Sequence, residues 1–171
     1  MIKHLTFAFT VSVISWIVGM VANALLIKTP YYHQHLKHLN FIRNESVNSY
    51  IGIEIFKWII IHSAFKYFNP KLSMKKQIKP SELPNLRNEM TIAEISHLIG
   101  FVFVTAFVLV KLLKGYYLSA LIIMIMNILL NLYPTLLQQQ NKRRIDKYSR
   151  AVTLRIAINN SISGTSTTIS S

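Results

Sequence analysis

The protein has 171 residues, of which 51% are hydrophobic, and it carries a formal net charge of +13 although only 15% of its residues are charged. Its mean hydropathy of +0.35 and its long uncharged runs exclude an ordinary water-soluble domain and indicate an integral membrane protein. The absence of cysteine excludes disulfides, thiolate metal sites and a cysteine nucleophile. We predict one all-α membrane domain, residues 1–158, and expect no cofactor.

The first uncharged run, residues 5–27, predicts a transmembrane helix. It lies between Lys3 and Lys28 and exceeds the length of about 20 residues that a helix needs to cross a bilayer. A cleaved signal peptide is the alternative, because Lys3-His4 resembles a basic start and Ala22-Asn23-Ala24 resembles a small-residue cleavage site.

The segment that follows is basic and contains one apolar stretch, residues 51–68, interrupted by charged side chains. Glu54 and Lys57 share a helix face there, while isoleucines and Phe56 supply apolar surface. We predict a helix that lies in the cytoplasmic interface. A fourth span or a re-entrant pair of short helices is the alternative. Residues 71–88 are predicted to form a basic loop against anionic headgroups.

Two further apolar runs, residues 92–113 and 116–137, predict a C-terminal helical hairpin. Only Lys114-Gly115 separates them, which leaves room for nothing but a tight turn. The fold class is therefore an all-α integral membrane protein with about three transmembrane helices. Residues 159–171 are rich in serine and threonine without an apolar period, and we expect this tail to be disordered.

The distribution of charge predicts the orientation. Residues 28–91 hold ten Lys or Arg against four Glu, and the part of the chain from residue 138 holds six against Asp146 alone. The positive-inside rule places both segments in the cytoplasm. We therefore expect a multi-pass protein of the cell (inner) membrane, with its N-terminus outside and its C-terminus cytoplasmic. Since topology accounts for the charge, we expect no nucleic-acid partner.

Glu94 and His97 are polar side chains at the start of the second span. Thr91 followed by Glu94 reads as a helix-capping box, which would explain Glu94 by structure alone. His97 lies on the same helix face and can be a packed, hydrogen-bonded histidine. A Glu–His pair at membrane depth can also provide a general base whose imidazole is oriented by the carboxylate.

Asn131 of the third span is predicted to lie at the same depth in the membrane as Glu94 and His97 of the second. Counted outward from the turn, His97 lies level with Asn131, and Glu94 lies level with Thr135. If the two helices pack antiparallel, Glu94, His97 and Asn131 converge near the cytoplasmic face.

Other polar residues of the third span have a structural interpretation. Asn127 lies level with Val102, which offers it no polar partner, and asparagine in a span usually joins helices by hydrogen bonds. Pro134 is expected to free a backbone carbonyl and to kink the helix. Gln138 and Asn141 continue the asparagine face beyond the kink.

A basic cluster follows and includes Lys142, Arg143 and Arg144. It reads as the topology signal described above, and it can also bind an anionic group such as a lipid headgroup or the phosphate of an acyl carrier.

Three segments of the chain resemble a known family. Ala93-Glu94-Ile95-Ser96-His97, Asn131-Leu132-Tyr133-Pro134 and the run from Gln138 to Arg144 resemble the glycosyl-4,4'-diaponeurosporenoate acyltransferases, small membrane proteins of bacterial carotenoid biosynthesis. The resemblance covers roughly residues 88–146, with a looser likeness in the first span. The chain departs from the family pattern at Gln139-Gln140, where the family has an arginine and an aromatic residue, and at Leu98, where it has an aromatic residue.

The resemblance implies transfer of a fatty acyl group to a sugar hydroxyl of a glycosylated lipid or carotenoid. The partners would be an acyl donor, a lipid-linked acceptor and membrane lipids. Carried over to matching positions, the catalytic residues would be His97 as base with Glu94 as its orienting partner. Substrate binding would involve four residues: Asn131, Gln138, Asn141 and Arg144.

Two other functions compete with this one. The chain can be a non-catalytic accessory subunit of a larger membrane complex, in which a membrane-protein partner covers it and the polar residues of the hairpin serve packing alone. A metal site would start from Glu94 and His97, since these lie on one helix face, but it needs further ligands. Those would have to come from His62 or from the histidines near residue 35, namely His33, His35 and His38.

Overall fold

The structure, a computed structural model, describes residues 1–39, 52–62 and 79–168. All regular secondary structure in these ranges is helical. In chain order the elements are α1 (Ile2–Leu26), α2 (Pro30–Gln34), a 3-10 turn (Leu36–His38), α3 (Ile53–His62), a 3-10 turn (Pro80–Glu82), α4 (Leu83–Leu113), α5 (Tyr117–Asn127), a π-helical turn (Ile128–Leu132) and α6 (Tyr133–Thr168).

Within the part of the chain that the structure describes, three helical segments are long and apolar enough to cross a membrane. They are Ile2–Leu26, Pro80–Leu113 and Tyr117–Asn159, whose most apolar windows have a mean hydropathy of 2.0, 2.1 and 2.0. The predicted fold class, an all-α membrane protein with three spans, is confirmed.

The predicted hairpin is formed by α4 and α5. Lys114 ends α4, and Gly115 adopts φ +75°, the left-handed conformation that favours glycine. The amide of Tyr116 donates to the carbonyl of Lys111 at 2.9 Å, and that of Gly115 to Leu112 at 3.0 Å. This pair of bonds is a Schellman cap, which ends the helix and reverses the chain.

Helix α1 packs between the two arms of the hairpin through small residues. A Cβ at Gly19 would lie 2.1 Å from the carbonyl oxygen of Ser96, so the backbones of α1 and α4 approach too closely for any side chain there. At the hairpin end, the hydroxyl of Ser119 bonds to Nδ1 of His4 at 2.8 Å. Helix α1 therefore runs antiparallel to α4.

Asn23 fixes the other end of α1. Its side chain is 1% exposed, and Nδ2 donates to the carbonyl of Ile92 at 2.8 Å and to the hydroxyl of Ser96 at 3.0 Å. Within the segment that resembles a signal-peptide cleavage site, Asn23 thus lies inside the bundle, where it contacts α4. These contacts favour a transmembrane helix over a leader segment.

Helix α4 begins earlier than the sequence predicts. Residues 83–88 are helical instead of forming a loop, because Pro84 lies in the first turn, where its missing N–H costs no helical bond. Thr91 is therefore not an N-cap. Its hydroxyl donates to the carbonyl of Arg87 at 3.0 Å within the helix, so the predicted capping box with Glu94 is wrong.

The third span continues directly into α6, beyond the end of the apolar run at residue 137. The π-helical turn precedes Pro134 and contains a wider bond, from the amide of Tyr133 to the carbonyl of Ile128. Helix α6 reaches Thr168, so helix extends into the segment 159–171 for which the sequence predicts disorder. The division into one domain and a tail stays a prediction.

Helix α3 packs against the start of α6. Ile53 is fully buried against Leu136 and Leu137, and the ring of Phe56 lies 4.8 Å from that of Tyr133. Trp58 is 62% exposed on the opposite face. The helix predicted for residues 51–68 is present as Ile53–His62, and its position in the membrane interface stays a prediction. Residues 51 and 63–68 lie outside the described residues, as do 71–78 of the predicted basic loop.

The first turns of α4 also pack against α6. Arg87 holds Asp146 through two bonds, Nε to Oδ1 at 2.7 Å and Nη2 to Oδ2 at 3.3 Å. Leu83, Met90 and Ile145 form a small apolar cluster next to this pair. The hairpin therefore extends as a packed pair of helices beyond its apolar section.

Candidate active site

The interior of the bundle is polar over much of its length. Buried polar side chains come from all three long helices: Ser12, Ser15, Asn23, Thr91, Glu94, Ser96, Ser119, Asn127, Asn131, Thr135, Gln138, Gln139, Asn141 and Lys142. Burying such groups is costly unless they are hydrogen-bonded, so their partners separate the side chains used for packing from those available for chemistry.

Asn127 is used for packing. Its Nδ2 donates to the carbonyl of Phe101 at 3.0 Å and to the hydroxyl of Thr105 at 3.2 Å. The predicted level, opposite Val102, is right. The expectation that Asn127 would find no polar partner there is wrong, because the backbone carbonyl and the threonine one turn away both face it.

Asn131 joins the three helices. It is fully buried, and Nδ2 donates to the hydroxyl of Ser15 at 3.1 Å and to Oδ1 of Asn127 at 2.9 Å. A Cβ at Gly100 would lie 2.8 Å from Oδ1 of Asn131, so the glycine provides the space that this amide occupies. Both N–H groups of Asn131 are therefore taken, and only its oxygen can serve another group.

His97 lies beside Asn131, and one of its ring nitrogens takes part in no hydrogen bond that holds the helices together. The side chain of Asn131 is within hydrogen-bonding reach of the imidazole, while Nδ1 of the ring is buried without a hydrogen-bond partner. Trp16 of α1 meets the ring in an edge contact, with centroids 6.1 Å apart and planes at 88°. The sequence thus predicted the juxtaposition of His97 and Asn131 correctly.

Glu94 does not orient His97. Its Oε1 accepts from Nε2 of Gln139 at 2.8 Å, and its Oε2 forms an ion pair with the amino group of Lys142. Glu94 is fully buried and Lys142 is 4% exposed. A buried carboxylate requires a cation, and Lys142 satisfies this need where the neutral imidazole of His97 would not. The predicted Glu–His pair is therefore wrong.

The register explains why the sequence did not reveal this pair. Counting from the turn placed Glu94 opposite Thr135, but its partner Gln139 lies about one helical turn further along. The π-helical turn accommodates one extra residue, so it accounts for one position of this shift. Thr135 instead bonds within its own helix, to the carbonyl of Asn131 at 2.9 Å.

Glu94, His97, Asn131, Gln139 and Lys142 together form the polar cluster of the candidate site. Tyr32 of α2 lies next to this cluster, near Glu94. It is 2% exposed, and its hydroxyl is buried without a hydrogen-bond partner. Burial, and then the negative charge of Glu94, raise the pKa of Tyr32 above its ordinary value. The phenol is therefore a neutral group that can donate a hydrogen bond.

The remaining predicted residues are divided between the interior and the surface. Gln138 and Asn141 are 5% and 3% exposed and lie within the polar interior, whereas Arg144 is exposed on the outer face of α6. The structure therefore places Lys142, and not Arg144, next to Glu94. The spacing of Thr135, Gln139 and Lys142, by four and three residues, is a helical stripe that would have identified this face.

A metal site at these residues is not supported by the described part of the chain. Within residues 1–39, 52–62 and 79–168 no three His, Asp or Glu side chains lie close enough together to hold a metal ion. Glu94 and His97 in particular point to different partners.

A comparison with protein families identifies the chain. The model of the glycosyl-4,4'-diaponeurosporenoate acyltransferase family matches residues 28–151, which include Glu94, His97, Asn131 and Lys142. The chain belongs to this family. The family acts on a glycosylated carotenoid, and membership agrees with the apolar helices in indicating a membrane protein with lipid-linked substrates. Comparisons with curated proteins and with solved structures gave no match.

Proposed function

We propose that the protein is a membrane acyltransferase that transfers a fatty acyl group to a sugar hydroxyl of a glycosylated lipid or carotenoid, with His97 as the general base. One structural observation supports this role besides family membership. His97 has a buried ring nitrogen without a partner, in an interior where the neighbouring amides are hydrogen-bonded.

Transfer of an acyl group to an alcohol needs a base that removes the hydroxyl proton as the oxygen attacks the acyl carbonyl. A neutral imidazole performs this step when one nitrogen is free and the other holds its proton in a hydrogen bond. The oxygen of Asn131 is the acceptor available to the second nitrogen, since both N–H groups of this amide are already used. Asn131 then fixes the tautomer and does not stabilise the oxyanion.

The developing oxyanion needs donors elsewhere in the interior. Gln138 and Asn141 are the candidates, because both are buried amides on α6, about two and about three turns beyond Asn131. Arg144 is exposed and suits the polar end of the acyl donor in the interface. Glu94 has a structural role, because Lys142 and Gln139 occupy its oxygens.

The polar cluster lies at a position that suits amphipathic substrates, which have a polar end and a lipid chain. The cluster lies at the end of the bundle where α1 is followed by Tyr32 and where α3 packs on α6. The charge distribution predicts that this end lies on the cytoplasmic side of the inner membrane, and both substrates would then enter with their polar ends beside the inner leaflet.

An assay with purified protein in lipid nanodiscs tests the proposal. Wild-type protein should transfer a labelled acyl group from an activated donor to a glycosylated carotenoid, with formation of an ester detected by mass spectrometry. His97→Gln should reduce the rate by about 10²- to 10⁴-fold, as expected for loss of a general base. His33→Gln changes an exposed histidine after the first span and is the matched control.

The accessory-subunit hypothesis makes the opposite prediction for the same assay. Wild-type protein would then transfer no acyl group to any glycoside, and His97→Gln would change only the amount of assembled complex. Full turnover by His97→Gln would instead preserve the acyltransferase and remove the histidine from its mechanism.

A further inference from the structure

Pro134 leaves one backbone carbonyl of the third span without its α-helical donor. In an α-helix the N–H of residue 134 would bond to the carbonyl of Leu130, four residues earlier, but proline has no N–H. The carbonyl of Leu130 lies in the π-helical turn at membrane depth, where no water can supply the missing bond.

Trp16 supplies that bond from another helix. Its Nε1 donates to the carbonyl of Leu130 at 3.1 Å. A tryptophan of a transmembrane helix usually lies in the aromatic belt at the interface, whereas Trp16 lies in the middle of α1. Its N–H is satisfied inside the bundle, and this bond fixes the orientation of the indole.

The fixed indole contacts the ring of His97. The two rings meet edge to face at 6.1 Å and 88°, so a rotation of the imidazole would lose a favourable aromatic contact. A catalytic histidine is commonly oriented by a carboxylate, but the nearby carboxylate of Glu94 is bound to Lys142 and Gln139. The orienting group of His97 must therefore be another residue.

We propose that Trp16 is a positioning residue for His97, held in place by the carbonyl that Pro134 frees, and that it fixes the plane of the imidazole ring while Asn131 fixes its tautomer. The inference rests on the proposed function, because it gives His97 a reason to need a fixed orientation. Trp16 lies outside residues 28–151, the part of the chain that the family model matches. The contact between Trp16 and His97 itself is independent of the reaction and can be measured without substrate.

The kinetic test uses the two tryptophans of the chain. Trp16→Phe keeps an aromatic ring but removes the N–H, and we expect kcat to fall about 10- to 100-fold with little change in KM, since misplacement of a catalytic group by about 1 Å costs this much. Trp58→Phe is the matched control, because Trp58 is 62% exposed and stacks on His62. This variant should keep wild-type turnover.

The structural test is fluorescence. In the Trp58→Phe background Trp16 is the only tryptophan. A protonated imidazole quenches indole emission more strongly than a neutral one, so the emission of Trp16 should fall as the pH is lowered through the titration of His97. The further change His97→Gln should abolish this pH dependence, and the measurement requires neither donor nor acceptor.

The outcomes separate the inference from the proposed function. A pH-dependent emission that His97→Gln removes, together with the kcat loss in Trp16→Phe, supports the inference. Full turnover by Trp16→Phe overturns the inference while leaving His97 as the base. The same holds if the emission of Trp16 changes neither with pH nor on the substitution His97→Gln. Full turnover by His97→Gln overturns the proposed base and the catalytic role of Trp16 together, even if the fluorescence shows that the two rings touch.

Discussion

Lys142 carries its amino group into the interior of the bundle and pairs there with the carboxylate of Glu94. The lysine is 4% exposed, and its amino group also donates to the carbonyl of Leu39 at 3.2 Å. The pair joins α4 to α6 beyond the apolar section of the hairpin. It explains why an acidic residue is stable in an apolar helix, and it removes Glu94 from the list of groups available as a base.

Removal of one partner of this pair should destabilise the protein strongly. Lys142→Met leaves the carboxylate of Glu94 buried without a cation, which costs about 3 to 5 kcal/mol. Thermal unfolding of the detergent-solubilised protein measures the loss. Arg144→Met is the control from the same basic cluster, and because Arg144 is exposed we expect a change within about 0.5 kcal/mol. Equal losses in the two variants would contradict the buried pair.

Two asparagines one turn apart should have different effects on catalysis. Asn127→Leu removes bonds to Phe101 and Thr105, Asn131→Leu removes the bond to Ser15, and either variant removes the bond between the two asparagines. Each should cost about 1 kcal/mol of stability, the usual value of such a bond between membrane helices. Only Asn131→Leu should also reduce kcat, because only Asn131 lies beside His97. Equal turnover in both variants would remove Asn131 from the site.

The close approach of α1 and α4 should make Gly19 intolerant of any side chain. Gly19→Ala places a methyl group 2.1 Å from the carbonyl oxygen of Ser96, so the helices must separate, at a cost of about 1 to 3 kcal/mol. Ala24→Val adds volume to an exposed face of the same helix and should be tolerated. A stable Gly19→Ala protein would show that these two helices do not cross at this point.

The orientation can be tested by labelling single cysteines, since the chain has none of its own. Lys114→Cys in the hairpin turn should react with an impermeant thiol reagent added outside intact cells, and Arg150→Cys in α6 should react only after the membrane is opened. Both side chains are exposed in the structure. The reverse pattern would show that the N-terminus is cytoplasmic.

The sequence was sufficient for the hairpin and for one half of the site. The apolar runs and Lys114-Gly115 predicted two antiparallel helices, and counting from the turn placed His97 beside Asn131 correctly. This works because two helices joined by a tight turn share a register that the turn fixes. Beyond the π-helical turn the partner of Glu94 lies about one helical turn further along than the count gives. Lys142 was missed because the resemblance to the family pointed to Arg144 as the functional residue of the basic cluster.

The contribution of α1 could not be predicted in the same way. Ser15, Trp16 and Asn23 all bond to the hairpin, but a long segment separates α1 from it, so no turn fixes its register. The sequence shows that Trp16 is not in an aromatic belt and gives no partner for its N–H. That partner is a backbone carbonyl, and because every residue has one, the sequence of side chains cannot identify it.

Two variants distinguish the role of His97 as the base from the structural role of the pair of Glu94 with Lys142. The double variant Glu94→Gln with Lys142→Met removes both charges at once, which is often neutral for a buried pair. We predict that it retains most of the acyl-transfer rate of the wild type, measured at equal amounts of folded protein, whereas His97→Gln loses about 10²- to 10⁴-fold. A double variant without activity beside an active His97→Gln protein would assign the chemistry to the carboxylate and contradict the account.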